Sequence, residues 1–348
     1  MPLEIAGRRI GRRHPVFVIA EIGLNHGGHV HRAIELVEAA AWAGASAIKL
    51  QSIEAAQLVS RGCPAPAHVN AASLQDFFAT FELDEDAHRA VVARARSHGM
   101  AVLSTPFSET VIPMLEALEL DAYKIASGDL TYDRLIVRAA RTGRPLILST
   151  GMSELAEVSR ALQVATMAGA SELAVLHCVS AYPTPPDAEN LRAIATLAES
   201  TGFPTGLSDH GSGLLSAVAA VALGACIYER HLVLDADEDA IDRAVSSTPT
   251  ELKAIVSALG QIRSALGDGI KRCQPAERPN VIPSRRGLYA ARTLAAGQRL
   301  TASDIAVLRP ASDLAPDKLE MLVGSVITRP MAIGEPFVPA DILTGVRA

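Results

Sequence analysis

From Val16 to about Leu266, short apolar runs alternate with stretches whose apolar residues recur at helical spacing. The runs at 16–23, 47–52, 101–107, 122–127, 145–151, 173–179, 204–210 and 226–232 are continuous enough to be parallel strands buried on both faces. Amphipathic patterns at His31–Ala43, Asp84–His98, Tyr132–Arg141 and Ser153–Ala168 fall between them and predict helices. Glycines such as Gly44, Gly99, Gly143, Gly169, Gly202 and Gly224 mark the return to each strand, where a left-handed cap lets the chain reverse. Eight such units predict an α/β fold of the (β/α)8 TIM-barrel type rather than an open doubly wound sheet. The absence of a G-x-G-x-x-G turn points the same way.

The flanks read differently. Leu3–Arg12 has the pattern of a hairpin turned at Ala6-Gly7, placed to close the bottom of the barrel. The connection from Ile53 to Leu83 is too long for a simple loop and predicts irregular structure or a small helix. The expected organisation is a catalytic barrel over 1–266, a Gly/Pro/Arg-rich linker over 267–286 and a small β-rich domain over 287–348. Two similar phrases, Ala296-Gly297-Gln298-Arg299-Leu300 and Ile333-Gly334-Glu335-Pro336-Phe337, recur in that last segment. A domain so small has a thin core and is expected to dock on something.

Composition narrows the function classes. The 348 residues carry a net charge of −6, with no basic run beyond Arg8-Arg9 and Arg12-Arg13, which excludes nucleic acid as a natural partner. Aromatic residues make up only 4%, so the packing must be aliphatic. Cys63, Cys178, Cys226 and Cys273 show no C-x-x-C spacing and read as free thiols in a reducing compartment. Met1–His14 lacks an apolar signal core, and the greasy stretch around Ala217–Tyr228 is too short to span a bilayer. A soluble cytoplasmic protein without membrane partners is the expectation.

Candidate chemistry lies at the strand ends, where an apolar strand has no reason to carry polar groups: Glu21, Asn25 and His26, Lys49 and Gln51, Ser104 and Thr105, Lys124 and Ser127, Ser149 and Thr150, His177 and Ser180, Ser208 and His210, Glu229 and His231. Together they describe a polar, partly cationic basin at the carboxyl ends of the strands. Lys49 and Lys124 interrupt otherwise apolar strands, and a buried lysine is costly unless its charge meets an anion. With hydroxyls at Thr105, Ser127 and Ser149 they suit a small molecule carrying both carboxylate and phosphate. His210 and His231 end successive strands at matched positions, where two imidazoles can share a divalent ion and leave positions open for substrate. His177 reads as a hydrogen-bonded core histidine; His68, His88 and His98 read as solvated.

These phrases carry a resemblance. Ile19-Ala20-Glu21-Ile22-Gly23 with Asn25-His26, Ile48-Lys49-Leu50-Gln51, Ser104-Thr105-Pro106-Phe107, Tyr123-Lys124-Ile125-Ala126-Ser127-Gly128 and Leu148-Ser149-Thr150-Gly151-Met152 are similar to the sialic acid synthases. So are His177-Cys178, Tyr182-Pro183-Thr184-Pro185, Ser208-Asp209-His210 and Glu229-Arg230-His231, while the terminal segment with Leu308-Arg309-Pro310 resembles that family's antifreeze-like (SAF) domain. Such enzymes condense phosphoenolpyruvate with an N-acetylated amino sugar, N-acetylmannosamine or a related acetamido sugar, to give a nonulosonic acid and phosphate.

The resemblance implies a divalent ion of the manganese type, with magnesium and cobalt as alternatives, on His210 and His231, and Glu229 in its outer shell. It implies phosphoenolpyruvate held by Lys49, Thr105, Lys124, Ser127, Ser149 and Ser208, with Lys49, Lys124, Glu21 and Glu229 catalytic. Glu21, Asp129, Tyr182 and Asp242 would line the sugar side. Arg309 would reach the barrel mouth of a partner in a domain-swapped homodimer. The departures from the family pattern gather on the sugar side: Asp129 for a glutamate, Ser180 at a position that varies, Asp239-Ala240-Ile241 before Asp242, Arg243 after it, and Ala311 after Arg309-Pro310. They leave open whether the acceptor is mannosamine-based or another sugar.

A metal-dependent barrel aldolase or isomerase would share the histidines but not require Lys49 and Lys124. An ice-binding role for the terminal domain conflicts with Arg285, Arg286, Arg299, Arg309 and Arg329. A sugar-binding regulator with dead chemistry conflicts with the intact lysines and histidines.

Overall fold

The computed structural model describes residues 3–65, 71–211 and 213–343, so His68 lies outside the described residues. The chain divides into two compact units, Met1–Gly267 and Asp268–Ala348.

In the first unit the barrel strands are β1 (Phe17–Glu21), β2 (Ala47–Ser52), β3 (Ala101–Pro106), β4 (Ala122–Ile125), β5 (Leu146–Ser149), β6 (Leu173–Cys178), β7 (Thr205–Asp209) and β8 (Ile227–Leu232). They pair in parallel in chain order, and β8 pairs with both β7 and β1, which closes the barrel. The covering helices are α1 (Val30–Ala43), α2 (Glu85–Ser97), α3 (Ile112–Ala117), α4 (Asp133–Ala140), α5 (Leu155–Met167), α6 (Ala193–Thr201), α7 (Leu214–Ala222) and α8 (Pro249–Leu266). The expected long excursion after β2 contains two short helices, Ala55–Leu58 and Leu74–Ala79.

Period-two alternation along each strand divides the core in two. One parity, including Val18, Ala20, Ile48, Leu50, Val102, Tyr123, Ile125, Leu148 and Val175, packs with the apolar stripes of the helices. The other parity forms a separate cluster of Phe17, Ile19, Ala47, Ala101, Leu103, Ala122, Ile147, Ala174, Leu176 and Ile227. Leu3, Ile5 and Ile10 join that cluster from the antiparallel pair Leu3–Ile5 and Arg8–Ile10, so the hairpin plugs the barrel's amino-terminal end.

In the second unit Gly287–Ala290 pairs antiparallel with Ile305–Leu308, and Val326–Ile327 with Ile342–Leu343. Its two similar phrases occupy equivalent places. Gly297 and Gly334 turn the chain, Leu300 and Phe337 enter the core, and the buried Asp304 and Asp341 pair with Arg292 and Arg329 at 2.6 and 2.7 Å. The stretch expected to be a bare linker contains a short helix, Arg278–Ser284.

Candidate active site

The inward parity, apolar at the bottom of every strand but β7, where it is Gly206, becomes polar at the top. Continuing it gives Glu21, Lys49, Thr105, Lys124, Ser149, Cys178, Ser208, Glu229 and His231, and all nine line one cavity of about 650 Å³. Strand register sets their neighbours: Glu21 lies level with Lys49 on one side and His231 on the other, and Ser208 level with Glu229. Ser127, Asp129, Tyr182, His210 and Asp242 line the same cavity from the loops. Every barrel residue expected in the site is therefore brought together.

Two lysine–carboxylate pairs occupy the floor. Lys49 contacts Glu21 and donates to Thr105 Oγ1 at 3.0 Å; Lys124 contacts Glu229, which also accepts from Ser208 Oγ at 2.8 Å. Glu21 is steadied by the Gly23 N–H at 2.6 Å. Burial pulls Lys49 down to about 7; Glu229 opposes that shift and Lys124 adds to it. The carboxylate of Glu21 in contact with Nζ favours the ammonium form. Burial pushes the Glu229 carboxyl up, but the two lysines outweigh it and hold it below its ordinary value. Removing such charges from water costs several kcal/mol per ion, so the pairs are weak sources of stability. They are better understood as a place kept charged for an anion. The Ser149 hydroxyl, buried with no protein partner, is a donor left over for one.

His210 and His231 have ring centroids 5.6 Å apart. His210 Nδ1 donates to the Val179 carbonyl at 3.1 Å and lies 3.7 Å from Cys178 Sγ. His231 Nδ1 faces Asp242 Oδ2 at 3.3 Å, and Leu24 N–H donates to the same oxygen. The Val179 carbonyl thus holds the His210 ring through Nδ1, and Asp242 lies behind Nδ1 of His231 without a formed hydrogen bond, which leaves Nε2 of each ring to act as a ligand atom. Burial lowers His231, so its imidazole is neutral at physiological pH. Gly23 permits this arrangement: at φ +47° a Cβ there would lie 2.8 Å from Asp242 Oδ2 and 3.0 Å from His231 Nδ1. The carboxylate behind the imidazole is Asp242. Glu229, expected in the outer shell of a metal, is instead committed to Lys124 and Ser208 because it points in one layer below His231. Among the described residues no group of three or more His, Cys, Asp or Glu is set to hold an ion. The donor set is therefore two imidazoles, which fits a divalent ion whose other positions go to substrate oxygens and water.

Tyr182 packs at a tilt against His210, with ring centroids 4.3 Å apart. Asp129 is half-enclosed, its Oδ2 has no partner, and burial raises its carboxyl to about 6. Of the other polar strand-end residues, Gln51 and Ser180 line the cavity, whereas Ser104, Thr150 and His177 do not. Ser104 bonds to Ser52 Oγ at 2.7 Å, Thr150 donates to the Leu176 carbonyl at 2.9 Å, and His177 Nε2 meets the Glu189 carbonyl at 2.8 Å. His88 is buried rather than solvated: its Nδ1 donates to the Asp84 carbonyl and its Nε2 accepts from Ser52 Oγ at 2.9 Å. Arg309 belongs to the second unit and is exposed.

The profile of the NeuB family matches residues 36–271, and that of the SAF domain matches residues 285–343. The chain belongs to the NeuB family. It is 34% identical over 319 residues to the N,N'-diacetyllegionaminic acid synthase of Campylobacter jejuni, spanning 90% of this chain and 96% of that protein. It is 30% identical over 285 residues to the N-acetylneuraminate-9-phosphate synthase of Mus musculus, spanning 80% and 79%. Among solved structures, the N-acetylneuraminic acid (sialic acid) synthetase of Leptospira borgpetersenii serovar Hardjo-bovis in complex with citrate superposes with a TM-score of 0.74 at 32% identity, covering 81% of this chain and 95% of that one. The resemblance seen in the motifs and the barrel-plus-SAF architecture of the NeuB family agree.

Proposed function

We propose that this protein condenses phosphoenolpyruvate with an N-acetylated amino sugar and water, giving a nonulosonic acid and inorganic phosphate. The observation that carries the reading is the meeting, in one cavity, of two buried lysines and the unpaired Ser149 hydroxyl with two imidazoles, each backed at Nδ1 by an oxygen. A barrel aldolase would have use for the imidazoles alone.

In this reading Lys49 and Lys124 hold the donor's phosphate and carboxylate, with Thr105, Ser127, Ser149 and Ser208 completing the cradle. Their charge serves most as phosphate departs and negative charge grows on its bridging oxygen. The donor's C3 attacks the acceptor's open-chain aldehyde, water adds to C2, and the tetrahedral intermediate expels phosphate by C–O cleavage. Glu21, buried beside Lys49, carries the proton of the added water or of the new hydroxyl. Asp129, Tyr182 and Asp242 bound the acceptor. His210 and His231 would hold a divalent ion of the manganese type, which when bound supplies Lewis acidity toward the acceptor's carbonyl oxygen. We also infer a homodimeric working unit in which Arg309 serves the partner's acceptor; its support is an exposed arginine that pairs with no carboxylate among the described residues.

The test is phosphate release from phosphoenolpyruvate across a panel of 2-acetamido sugars, with manganese present and after chelation. Expected is sugar-dependent release that chelation abolishes and manganese restores. Release with no sugar of the panel would sink the reading.

A further inference from the structure

The two imidazoles are held in place by different means. His231 lies inside β8, and its backbone is fixed by pairing with Glu21 of β1 on one side and Ser246 on the other. His210 falls one residue past the end of β7, where the ladder has stopped: the last pairs are Ser208 with Cys178 and Asp209 with Arg230. Side chains take over there. Arg230, on the outward parity of β8, donates from Nη1 to the carbonyls of Asp209 at 3.2 Å and Gly211 at 2.5 Å. Between those two, the His210 carbonyl accepts from the Thr184 N–H at 2.9 Å. Three consecutive carbonyls are thus tied to two neighbouring segments.

Arg230 is itself aimed. Its Nε donates to Ser247 Oγ at 3.1 Å, and Asp209 Oδ1 lies 3.5 Å from Nη1. The Asp209 carboxylate also accepts from the Gly211 N–H and from the Tyr228 hydroxyl, each at 2.7 Å. Behind the segment, a Cβ at Gly211 would lie 2.4 Å from Glu189 Oε1. Asp209, Tyr228 and Arg230 are buried, and none of them lines the active-site cavity, so none can touch substrate. A buried ion pair is a poor source of stability, and apolar residues of similar volume often serve a core as well or better. What this pair does that apolar residues could not is to fix the backbone at 209–211. Resting on the synthase reading above, we infer that Arg230, Asp209 and Tyr228 are positioning residues that preset His210 as a ligand for the divalent ion.

The test is the manganese affinity of the chelator-stripped full chain, read from the electron paramagnetic resonance signal of the free ion and so independent of turnover. Arg230→Lys keeps the charge but loses the fork that reaches both carbonyls and Ser247 at once. It should weaken manganese binding by roughly tenfold or more, as loss of a support behind a ligand does. Tyr228→Phe removes one hydrogen bond to Asp209 and should have a smaller effect in the same direction. In phosphate release both variants should need more manganese for half-maximal rate, with kcat restored at saturating manganese and the KM for phosphoenolpyruvate unmoved. A merely structural role would lower the denaturation midpoint and leave the affinity of the folded protein as it was. Should Arg230→Lys fail to fold, Tyr228→Phe decides alone. Wild-type affinity in a folded variant, or a loss of kcat that saturating manganese does not restore, would overturn the inference and leave the synthase reading intact. A wild-type protein that binds no manganese and releases phosphate regardless of chelation would remove the inference together with the ion in that reading.

Discussion

The two ends of the barrel are made from the same strands and the same inward parity, yet they are opposite in character. At the amino-terminal end Phe17, Ala47, Ala101, Ala122, Ala174 and Ile227 pack with Leu3, Ile5 and Ile10 of the hairpin into an apolar plug. Two to four residues further along, the positions become Glu21, Lys49, Thr105, Lys124, Cys178 and Glu229, buried and charged or polar. The alternation that makes a strand does not change; only the chemistry placed on it does. One end thus holds the barrel closed, and the other spends some of that stability on keeping charges out of water.

The largest test of that division is at the mouth. Lys124→Met should lower kcat/KM by roughly 10²–10³-fold, as expected for loss of a group that stabilises departing charge. It should also destabilise the protein by about 3–5 kcal/mol, because Glu229 is left buried without its partner. The double variant Lys124→Met, Glu229→Gln removes both charges, and it should recover most of the stability in a denaturant titration while remaining inactive. If the double variant stayed as unstable as the single one, the pair would be a structural element and the contrast between the ends would weaken.

The converse test is at the plug. Ile5 is fully buried, and Ile5→Ala should cost about 3 kcal/mol through lost burial and the cavity left behind. Steady-state kinetics at a temperature well below the midpoint should stay within about twofold of wild type, since no reacting group is near. A large fall in kcat at full folding would mean that the plug sets the geometry of the mouth.

How much of this is legible in the sequence follows the same alternation. The strands are readable because each is a continuous apolar run ended by a polar residue, and the observed β2 coincides with the expected 47–52. The polar strand ends are readable as a group, but sorting them requires the parity: Thr105 points in and Ser104 out, Ser149 in and Thr150 out. Applied to β6, the same count from Ala174 and Leu176 finds Cys178 in the cavity and leaves His177 outside. His88 misleads because a histidine on a polar helix looks solvated. Its burial depends on Ser52, which arrives from β2 and belongs to no local pattern. Phe78 gives no signal at all. It lies in an irregular excursion without period, and only the folded path past Gly28 brings it to the cavity.

The last test separates the two ends by pH. At the mouth His26 is buried, its Nδ1 accepts from the Gly28 N–H at 3.0 Å, and its Nε2 has no partner. An accepting Nδ1 requires the neutral ring, and burial, helped by His88, lowers His26 to about 4 from an ordinary value of 6.5. The unfolded chain therefore binds the proton first. Stability from the neutral ring is complete above about pH 6.5 and is lost as pH falls toward 4, by roughly 3 kcal/mol across the window. Other groups titrate there too: Asp129, raised to about 6 by burial, favours the fold on the acid side and opposes the trend. The difference between wild type and His26→Asn removes that background, because the amide oxygen of the replacement would accept from Gly28 without titrating while Asp129 is common to both chains. That difference should shift against wild type as pH is lowered from 7 to 4.5, measured by denaturant midpoints. The plug's cluster contains no group that charges in this range, since its one titratable member, Cys226, is already neutral and burial pushes it up. The cost of Ile5→Ala should accordingly stay flat over the same pH interval. A flat profile for His26→Asn as well would mean that the imidazole binds its proton as readily in the folded as in the unfolded chain, and the Gly28 hydrogen bond could not then be holding it neutral.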